Sequence, residues 1–260
     1  MGQVSIKNVS LRFSSPRVGT VVALQNLSLE VPDNQFAVIV GPSGCGKSSL
    51  LYLIAGLNEA SDGHCEVDGN PISGPGADRG MVFQSYSLFP WLTVQKNVEF
   101  GLSLGNTSPK ERSERAKHYI NAVGLSGFED AYSSQLSGGM QQRVAIARAL
   151  ANDPEVLLMD EPFGALDSQT RSIMQELLVS IWENEKKTVL FVTHDIDEAL
   201  FIGDVVYVMS ARPGAIIDRV EVALDRPRHY DVITSTHFID MKKGIMANLH
   251  QEVQRSMAMV

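Results

Sequence analysis

The chain has 260 residues, 44% of them hydrophobic, which is enough for one large domain with a full core. Its net charge of -8 argues against a nucleic-acid-binding protein, because such proteins normally present a basic face. No apolar run approaches the roughly 20 residues that span a bilayer, and no basic and then apolar leader precedes the first predicted strand. Cys45 and Cys65 provide no disulfide framework, so a protein of the reducing cytosol is expected.

The first part of the chain carries strand patterns. Residues 3–31 alternate short apolar and polar runs, which is typical of half-buried antiparallel strands. Residues 14–20 are polar and include Pro16 and Gly19, so they are predicted to form a loop between two of these strands. Residues 36–40 are continuously apolar, as a strand buried on both faces requires.

Similar apolar runs recur along the chain, with helical patterns between several of them. They lie at residues 81–83, 156–159, 189–192 and 205–209. Buried strands that alternate with helices predict an α/β fold with a parallel sheet.

The segment after residues 36–40 fills the phosphate-loop pattern G-x-x-x-x-G-K-[ST], and a helix is predicted over residues 49–56. Glycines in such a loop let several backbone N–H groups point at a phosphate, and the helix N-terminus adds a partial positive charge. Lys47 is expected to neutralise phosphate oxygens, and the Ser48 hydroxyl is expected to bind Mg²⁺. The predicted binding residues of this loop are Gly41, Pro42, Ser43, Gly44, Cys45, Gly46, Lys47, Ser48 and Ser49.

Residues 92–152 form a helical and strongly charged region without a buried strand, with a predicted helix start at Pro109. This region is interpreted as a helical sub-domain inserted between two core strands. Within it, residues 136–141 (LSGGMQ) are predicted to open a helix, which gives the chain a second phosphate-binding helix tip. A chain that already has a phosphate loop does not need a second phosphate-binding tip for its own nucleotide. The tip is therefore interpreted as a binding site for the nucleotide of a partner subunit.

Polar residues also follow the predicted strands, at the sheet edge where ligands bind in open α/β folds. Asp160 is expected to hold Mg²⁺ through water, and Glu161 could orient or deprotonate an attacking water; the alternative is an ordinary solvated acidic pair. His194 could contact a terminal phosphate, although a lone strand-end histidine is usually a surface or core residue. Gln84 follows a strand as well, and in isolation such a glutamine carries no signal.

The whole of residues 1–260 is interpreted as one domain. A core with an antiparallel β sub-domain is assigned to residues 1–91 and 153–225, and the helical sub-domain to residues 92–152. A C-terminal extension, residues 226–260, begins with Arg226-Pro-Arg as a turn and contains a predicted amphipathic helix from about residue 238 to residue 253.

Taken in this order, the phosphate loop, Gln84, the LSGGMQ segment, Asp160-Glu161, residues 165–167 and His194 resemble the ATPase subunit of ABC transporters. The resemblance covers nearly the whole chain. It implies a P-loop NTPase (RecA-like) core, ATP and Mg²⁺ as ligands, and ATP hydrolysis as the activity. In that family two subunits pair head to tail, and the signature helix of each closes over the ATP that the other holds.

The resemblance also implies roles for single residues. Phe13 corresponds to the aromatic residue that stacks on adenine, with a core strand phenylalanine as the alternative. The expected catalytic residues are Glu161, His194, Lys47 and Gln84, and the expected metal ligands are Ser48, Gln84 and Asp160. The residues expected to contact the ATP of the partner are Leu136, Ser137, Gly138, Gly139, Met140, Gln141 and Asp167.

Four shorter segments resemble the ATPase subunits of importers of nitrate, taurine, alkanesulfonate or bicarbonate. They are residues 75–84, 89–94 and 209–214, and the Arg226-Pro-Arg motif. Related importers handle thiamine precursors or aromatic acids, so the solute stays open. A soluble ABC ATPase of DNA repair or translation is less favoured, because those proteins usually carry a long coiled-coil insertion or two cassettes. An inactive scaffold is disfavoured because the catalytic positions are all present.

Residues 85–92 are unusually apolar for a segment after a crevice strand. They are predicted to form a groove for a short cytoplasmic helix of a permease, with Tyr86, Phe89 and Trp91 as anchors; the alternative is core packing. The expected partners are a second ATPase subunit, identical or different, the integral-membrane permease and, indirectly, an extracytoplasmic solute-binding protein, but no nucleic acid. The expected location is the cytoplasmic face of the inner plasma membrane, with attachment through the permease.

Overall fold

The computed structural model describes residues 2–15 and 19–258, and it divides the chain into two compact units. The first unit contains the residues up to Gly76 and those from Lys186 onward, and the second unit is Ala77–Glu185. These boundaries differ from the predicted ones at 91/92 and 152/153. The second unit extends beyond the predicted sub-domain because it includes the strand Arg79–Val82, on which a helix of residues 92–152 packs.

Within its described residues, the first unit contains two sheets and three α-helices. Its strands are β1 (Val4–Ser15), β2 (Gly19–Val31), β3 (Phe36–Val40), β4 (Asp62–Val67), β5 (Asn70–Pro71), β8 (Thr188–Thr193), β9 (Val205–Met209) and β10 (Ile216–Glu221). Its helices are α1 (Lys47–Ile54), α6 (Ile196–Ile202) and α7 (Thr236–Ala258), with a 3₁₀ turn at Tyr230–Thr234.

Strand β3 lies at the centre of the core of this unit. It pairs in parallel with β8 on one side and β9 on the other, and β10 continues the sheet antiparallel to β9. All residues of β3, β8 and β9 are buried, which explains their continuous apolar sequences. The second sheet is antiparallel in the order β2-β1-β4-β5. The end of β2, from Leu27 to Val31, alternates buried and exposed residues as the sequence pattern predicts, whereas register shifts between β1 and β2 interrupt the alternation along β1.

The prediction of a loop over residues 14–20 is wrong at both ends of that range. Ser14 and Ser15 belong to β1, Gly19 and Thr20 belong to β2, and Ser14 pairs with Thr20. Residues 16–18 lie outside the described part of the chain. The polar composition of this stretch misled the prediction, because a strand extension with both faces exposed needs no apolar residues.

The second unit is mostly helical around one pair of parallel strands. The strands are β6 (Arg79–Val82) and β7 (Val156–Asp160), paired from Arg79 with Val156 to Val82 with Met159. The helices are α2 (Val94–Glu99), α3 (Pro109–Ala122), α4 (Gly138–Ala151) and α5 (Ser168–Glu185), with 3₁₀ turns at Gly101–Leu104 and Ser133–Gln135. Helices α2, α3 and α4 contact one another, and α4 also packs on β6.

The C-terminal extension is anchored to α6 by the Arg226-Pro-Arg motif. The Arg228 guanidinium is buried and donates to the carbonyls of Leu200, Phe201 and Gly203, at the C-terminal end of α6. Arg226 donates to the Ile202 carbonyl at 2.6 Å and binds Asp204 with two nitrogens. The two guanidinium groups thus satisfy the last carbonyls of α6, and their positive charges interact favourably with the negative end of its helix dipole.

Candidate functional site

The phosphate loop curls around its own lysine. Lys47 is 5% exposed, and its Nζ donates to the carbonyls of Gly41 at 2.9 Å and Pro42 at 3.1 Å. The loop follows the buried strand β3 and leads into α1, which begins at Lys47 and not at residue 49 as predicted. Backbone turns and a helix N-terminus thus surround a buried ammonium group, an arrangement suited to phosphate oxygens.

Two glycines of the loop are required by close packing. A Cβ on Gly41 would lie 2.9 Å from the sulfur of Cys45, and a Cβ on Gly46 would lie 3.0 Å from the carbonyl of Ala23. Gly46 also has a φ of 107°, which other residues rarely adopt. Burial raises the pKa of the Cys45 thiol, against smaller opposing effects of Lys47, of backbone hydrogen bonds and of Arg212, so the side chain fills space as a neutral group.

A hairpin turn between β9 and β10 supports the loop from outside, which the sequence analysis did not predict. Arg212 donates to the Gly44 carbonyl at 3.2 Å. Gly214 bonds to the backbone of both Ala23 and Gln25, and a Cβ there would collide with the Cys45 carbonyl. These residues belong to the 209–214 segment that served only to identify a group of importers.

His194 follows β8 directly and is exposed. The next residue, Asp195, caps α6, because its side chain accepts from the backbone N–H groups of Asp197 and Glu198. Asp197 has a different role, since it forms an ion pair with Lys242 of α7. The fixed start of α6 therefore sets the position of the His194 backbone at the carboxyl end of the β8 strand.

Phe13 lies on β1, opposite Val21, and is 44% exposed. This exposure contradicts the alternative of a core phenylalanine. An exposed ring on a sheet is chemically suited to stacking on a planar ligand.

In the second unit, Asp160 and Glu161 have different environments. Asp160 is the last residue of β7 and is 2% exposed, whereas Glu161 is partly exposed and has a φ of 42°. A left-handed glutamate at the end of a buried strand is an uncommon conformation, and strained residues of this kind cluster at functional sites. Gln84 is exposed two residues after β6.

Ser137 caps the signature helix α4, since its side chain accepts from the Met140 backbone N–H at 3.3 Å. Ser137 and Gly138 are exposed, so the N-terminal tip of α4 faces outward. Leu136 is buried, and the Gln141 side chain donates to the carbonyls of Ser133 and Leu136. Leu136 and Gln141 thus shape the segment that leads to the tip.

The glycine pair of the signature allows two close contacts. A Cβ on Gly138 would lie 2.9 Å from the hydroxyl of Tyr86, and a Cβ on Gly139 would lie 2.9 Å from the methyl group of Thr170. A side chain at either position would therefore have to displace Tyr86 or Thr170.

Asp167 is exposed immediately before α5, and its carboxylate accepts from the backbone N–H groups of Gln169 and Thr170. These bonds hold the pKa of the Asp167 carboxyl below its ordinary value, and Thr170 makes the largest contribution. The residue thus caps α5, which the sequence analysis did not foresee.

The predicted magnesium ligands are a hydroxyl, a carboxamide and a carboxylate, and such hard oxygen donors suit Mg²⁺. Within the described residues no group of three or more His, Cys, Asp or Glu side chains could hold a metal ion. A donor set of this chemistry suits a magnesium ion that also has oxygen ligands from phosphate and water. No helix in the described part of the chain is long and apolar enough to cross a membrane.

Comparison with known proteins places this geometry in a family. A family model described as "ABC transporter" matches residues 24–164. The nitrate import ATP-binding protein NrtD of Synechocystis sp. is 57% identical over 198 residues, 76% of this chain and 74% of that protein. The taurine import ATP-binding protein TauB of Rhizobium johnstonii is 47% identical over 254 residues, 95% of this chain and 96% of that protein.

A solved structure of an ATP-binding cassette has a similar fold. The dimeric, post-hydrolysis state of an ATP-binding cassette bound to ADP and Pi matches with a TM-score of 0.75 and 35% identity, over 85% of this chain and 100% of that chain. The chain therefore belongs to the ABC transporter family, as one of its ATP-hydrolysing subunits.

Proposed function

We propose that this chain powers the import of a small oxyanion, such as nitrate or a sulfonate, by ATP-dependent closure of a subunit dimer. The proposal of import and of this solute class is supported by the relatives that are nitrate and taurine import proteins. Its location would be the cytoplasmic face of the inner membrane, where it would attach through a permease that works with an extracytoplasmic solute-binding protein.

The exposed tip of α4 is the observation that carries the closure mechanism. In the proposed dimer, Ser137 and the amides of Gly138 and Gly139 bind the terminal phosphate of the ATP that the partner holds on its phosphate loop. Met140 and Asp167 line the same seam. Two ATP molecules then join two copies in a symmetric arrangement.

Each residue of the nucleotide site has a proposed task. Lys47 and the loop amides bind the phosphates, and Phe13 stacks on the adenine. Ser48, Gln84 and Asp160 would hold Mg²⁺, which would neutralise charge on the phosphate oxygens. Glu161 orients and deprotonates the attacking water, and His194 contacts the terminal phosphate.

The Glu161→Gln variant tests this mechanism. Without its base, the variant should bind ATP and accumulate as a dimer in size-exclusion chromatography, with hydrolysis at least about a hundredfold slower. Hydrolysis at the wild-type rate would remove Glu161 from its role.

Uptake tests the solute class. Cells that lack this chain should lose high-affinity uptake of nitrate or taurine and should regain it with the wild-type chain but not with Glu161→Gln. Unchanged uptake of both anions would contradict the proposed class while leaving the ATPase mechanism intact.

A further inference from the structure

Residues 85–92, here called the strap, are held against the signature helix at two places. Near the start of α4, the Tyr86 hydroxyl lies against Gly138, so closely that any side chain at that glycine would push it away. Near the end of α4, Arg148 donates to the carbonyls of Ser87 at 2.7 Å and Tyr86 at 3.3 Å. The two contacts are ten residues apart on the helix, a rise of about 15 Å.

The Arg148 guanidinium also supports the aromatic part of the strap. It lies 5.7 Å from the ring centroid of Phe89, a distance at which cation and ring attract each other. Phe89 in turn packs against Trp91 at 5.7 Å and against Phe100 at 4.3 Å. Trp91 is 71% exposed, so a surface that faces solvent rests on a ring that the signature helix holds.

A second residue fixes the far end of the strap independently of α4. The buried side chain of Asn97, on α2, bonds to both backbone groups of Phe89 and to the carbonyls of Leu92 and Thr93. Between Ser85 and Phe89, in contrast, the hydrogen bonds of the strap to α4 come from Arg148.

The strap also contains a strained residue at the point where Arg148 binds. Ser87 has a φ of 48°, a left-handed conformation that non-glycine residues adopt at an energetic cost. The Ser87 hydroxyl donates to the Ser85 carbonyl at 2.8 Å, which favours this turn. Loss of the guanidinium would remove the hydrogen bond at the Ser87 carbonyl, which helps to hold this strained conformation.

We propose that Arg148 is a positioning residue that couples the strap to the signature tip, so that partner binding at Trp91 and nucleotide binding at Ser137 favour each other. This coupling rests on the proposed function, since it needs the ATP of a second copy at Ser137 and a permease at the strap. Because coupling between two sites is reciprocal, it can be measured from the nucleotide side alone.

Hydrogen exchange of the strap is the test, in full-length protein that carries Glu161→Gln to trap ATP. ATP should slow exchange in residues 85–92 by at least about fivefold, because the pinned signature helix restrains the strap. Adding Arg148→Lys should reduce this effect to less than about twofold, because a single ammonium cannot make the two-pronged contact. ATP-dependent dimerisation should persist in that variant.

Ser87 provides matched variants that leave Arg148 in place. Ser87→Val should weaken the ATP effect as Arg148→Lys does, because a β-branched residue disfavours a φ of 48°. Ser87→Gly should keep the effect, because glycine adopts this conformation freely. The comparison of Ser87→Val with Ser87→Gly therefore tests the coupling even if the Arg148→Lys variant folds poorly.

Two results would overturn the coupling. Undiminished slowing in both Arg148→Lys and Ser87→Val would show that the strap responds without the guanidinium, and a strap unresponsive to ATP in the dimer would show that there is no response to transmit. Failure of the Glu161→Gln chain to dimerise with ATP would overturn the proposed function as well.

Discussion

Ser137 has two tasks that one substitution removes together. It caps α4 and, in the proposed dimer, it donates a hydroxyl to the ATP of the partner. Ser108 is a matched control, because it caps the equally long helix α3 with the same 3.3 Å bond and is also exposed.

Ser137→Ala and Ser108→Ala should each lower the free energy of unfolding by about 1 kcal/mol, the usual loss for an N-cap. Only Ser137→Ala should also slow ATP hydrolysis, by at least about tenfold. Urea denaturation and a phosphate-release assay measure both quantities. Equal ATPase activity in the two variants would show that Ser137 caps α4 but does not contribute to ATP hydrolysis.

The cysteines give a prediction about pH. Burial raises the pKa of the Cys65 thiol to about 11, so at pH 8 only about one thiol in a thousand is the reactive thiolate. In a Cys45→Ser variant, which leaves Cys65 as the single thiol, labelling by iodoacetamide should be slow at pH 8 and should accelerate as the pH rises towards 11. Urea-unfolded protein serves as the control and should react fast at pH 8; equally fast labelling of the folded protein would contradict the burial of Cys65.

At the scale of elements, the Arg226-Pro-Arg motif holds the end of α6. Arg228→Ala would leave the carbonyls of Leu200, Phe201 and Gly203 buried without their donor. The free energy of unfolding should fall by about 3 kcal/mol, since hydrogen bonds to a charged group are lost at several acceptors.

Arg219 is the control for this substitution, because it is an exposed arginine of the same unit with an ion pair to Glu221. Arg219→Ala should change stability by no more than about 0.5 kcal/mol. Chemical denaturation compares the two variants, and similar losses would mean that the carbonyl contacts of Arg228 add little.

Sequence patterns predicted the buried strands well, because a strand covered on both faces must be continuously apolar. The phosphate loop and the signature helix were predictable for a related reason, since glycines, lysine and a capping serine act locally. The start of α3 at Pro109 was predicted from the local sequence as well, because proline fits the first position of a helix, and the structure adds Ser108 as its cap.

The sequence did not predict the arginine contacts. Arg148, Arg212 and Arg228 each bond to carbonyls that lie 25 or more residues away in the chain. A long side chain that binds backbone leaves no periodic pattern, because its acceptors can belong to any residue type. The roles of the 209–214 segment and of Arg226-Pro-Arg therefore became visible only in the structure.

At the scale of the whole molecule, each chain has a phosphate loop and an exposed signature tip, and the solved relative is a dimer. A head-to-tail dimer uses the loop of one copy with the tip of the other. Lys47→Ala should disable the loop, and Ser137→Ala should disable the tip, so each variant alone should hydrolyse ATP poorly.

Mixing these two variants tests the shared site most directly. In a mixed dimer, the intact loop of the Ser137→Ala copy meets the intact tip of the Lys47→Ala copy, so one of the two sites is complete. An equal mixture should therefore recover about a quarter of the wild-type ATPase activity. If the mixture hydrolyses ATP no faster than the average of the two separate variants, each copy works alone and the account is contradicted.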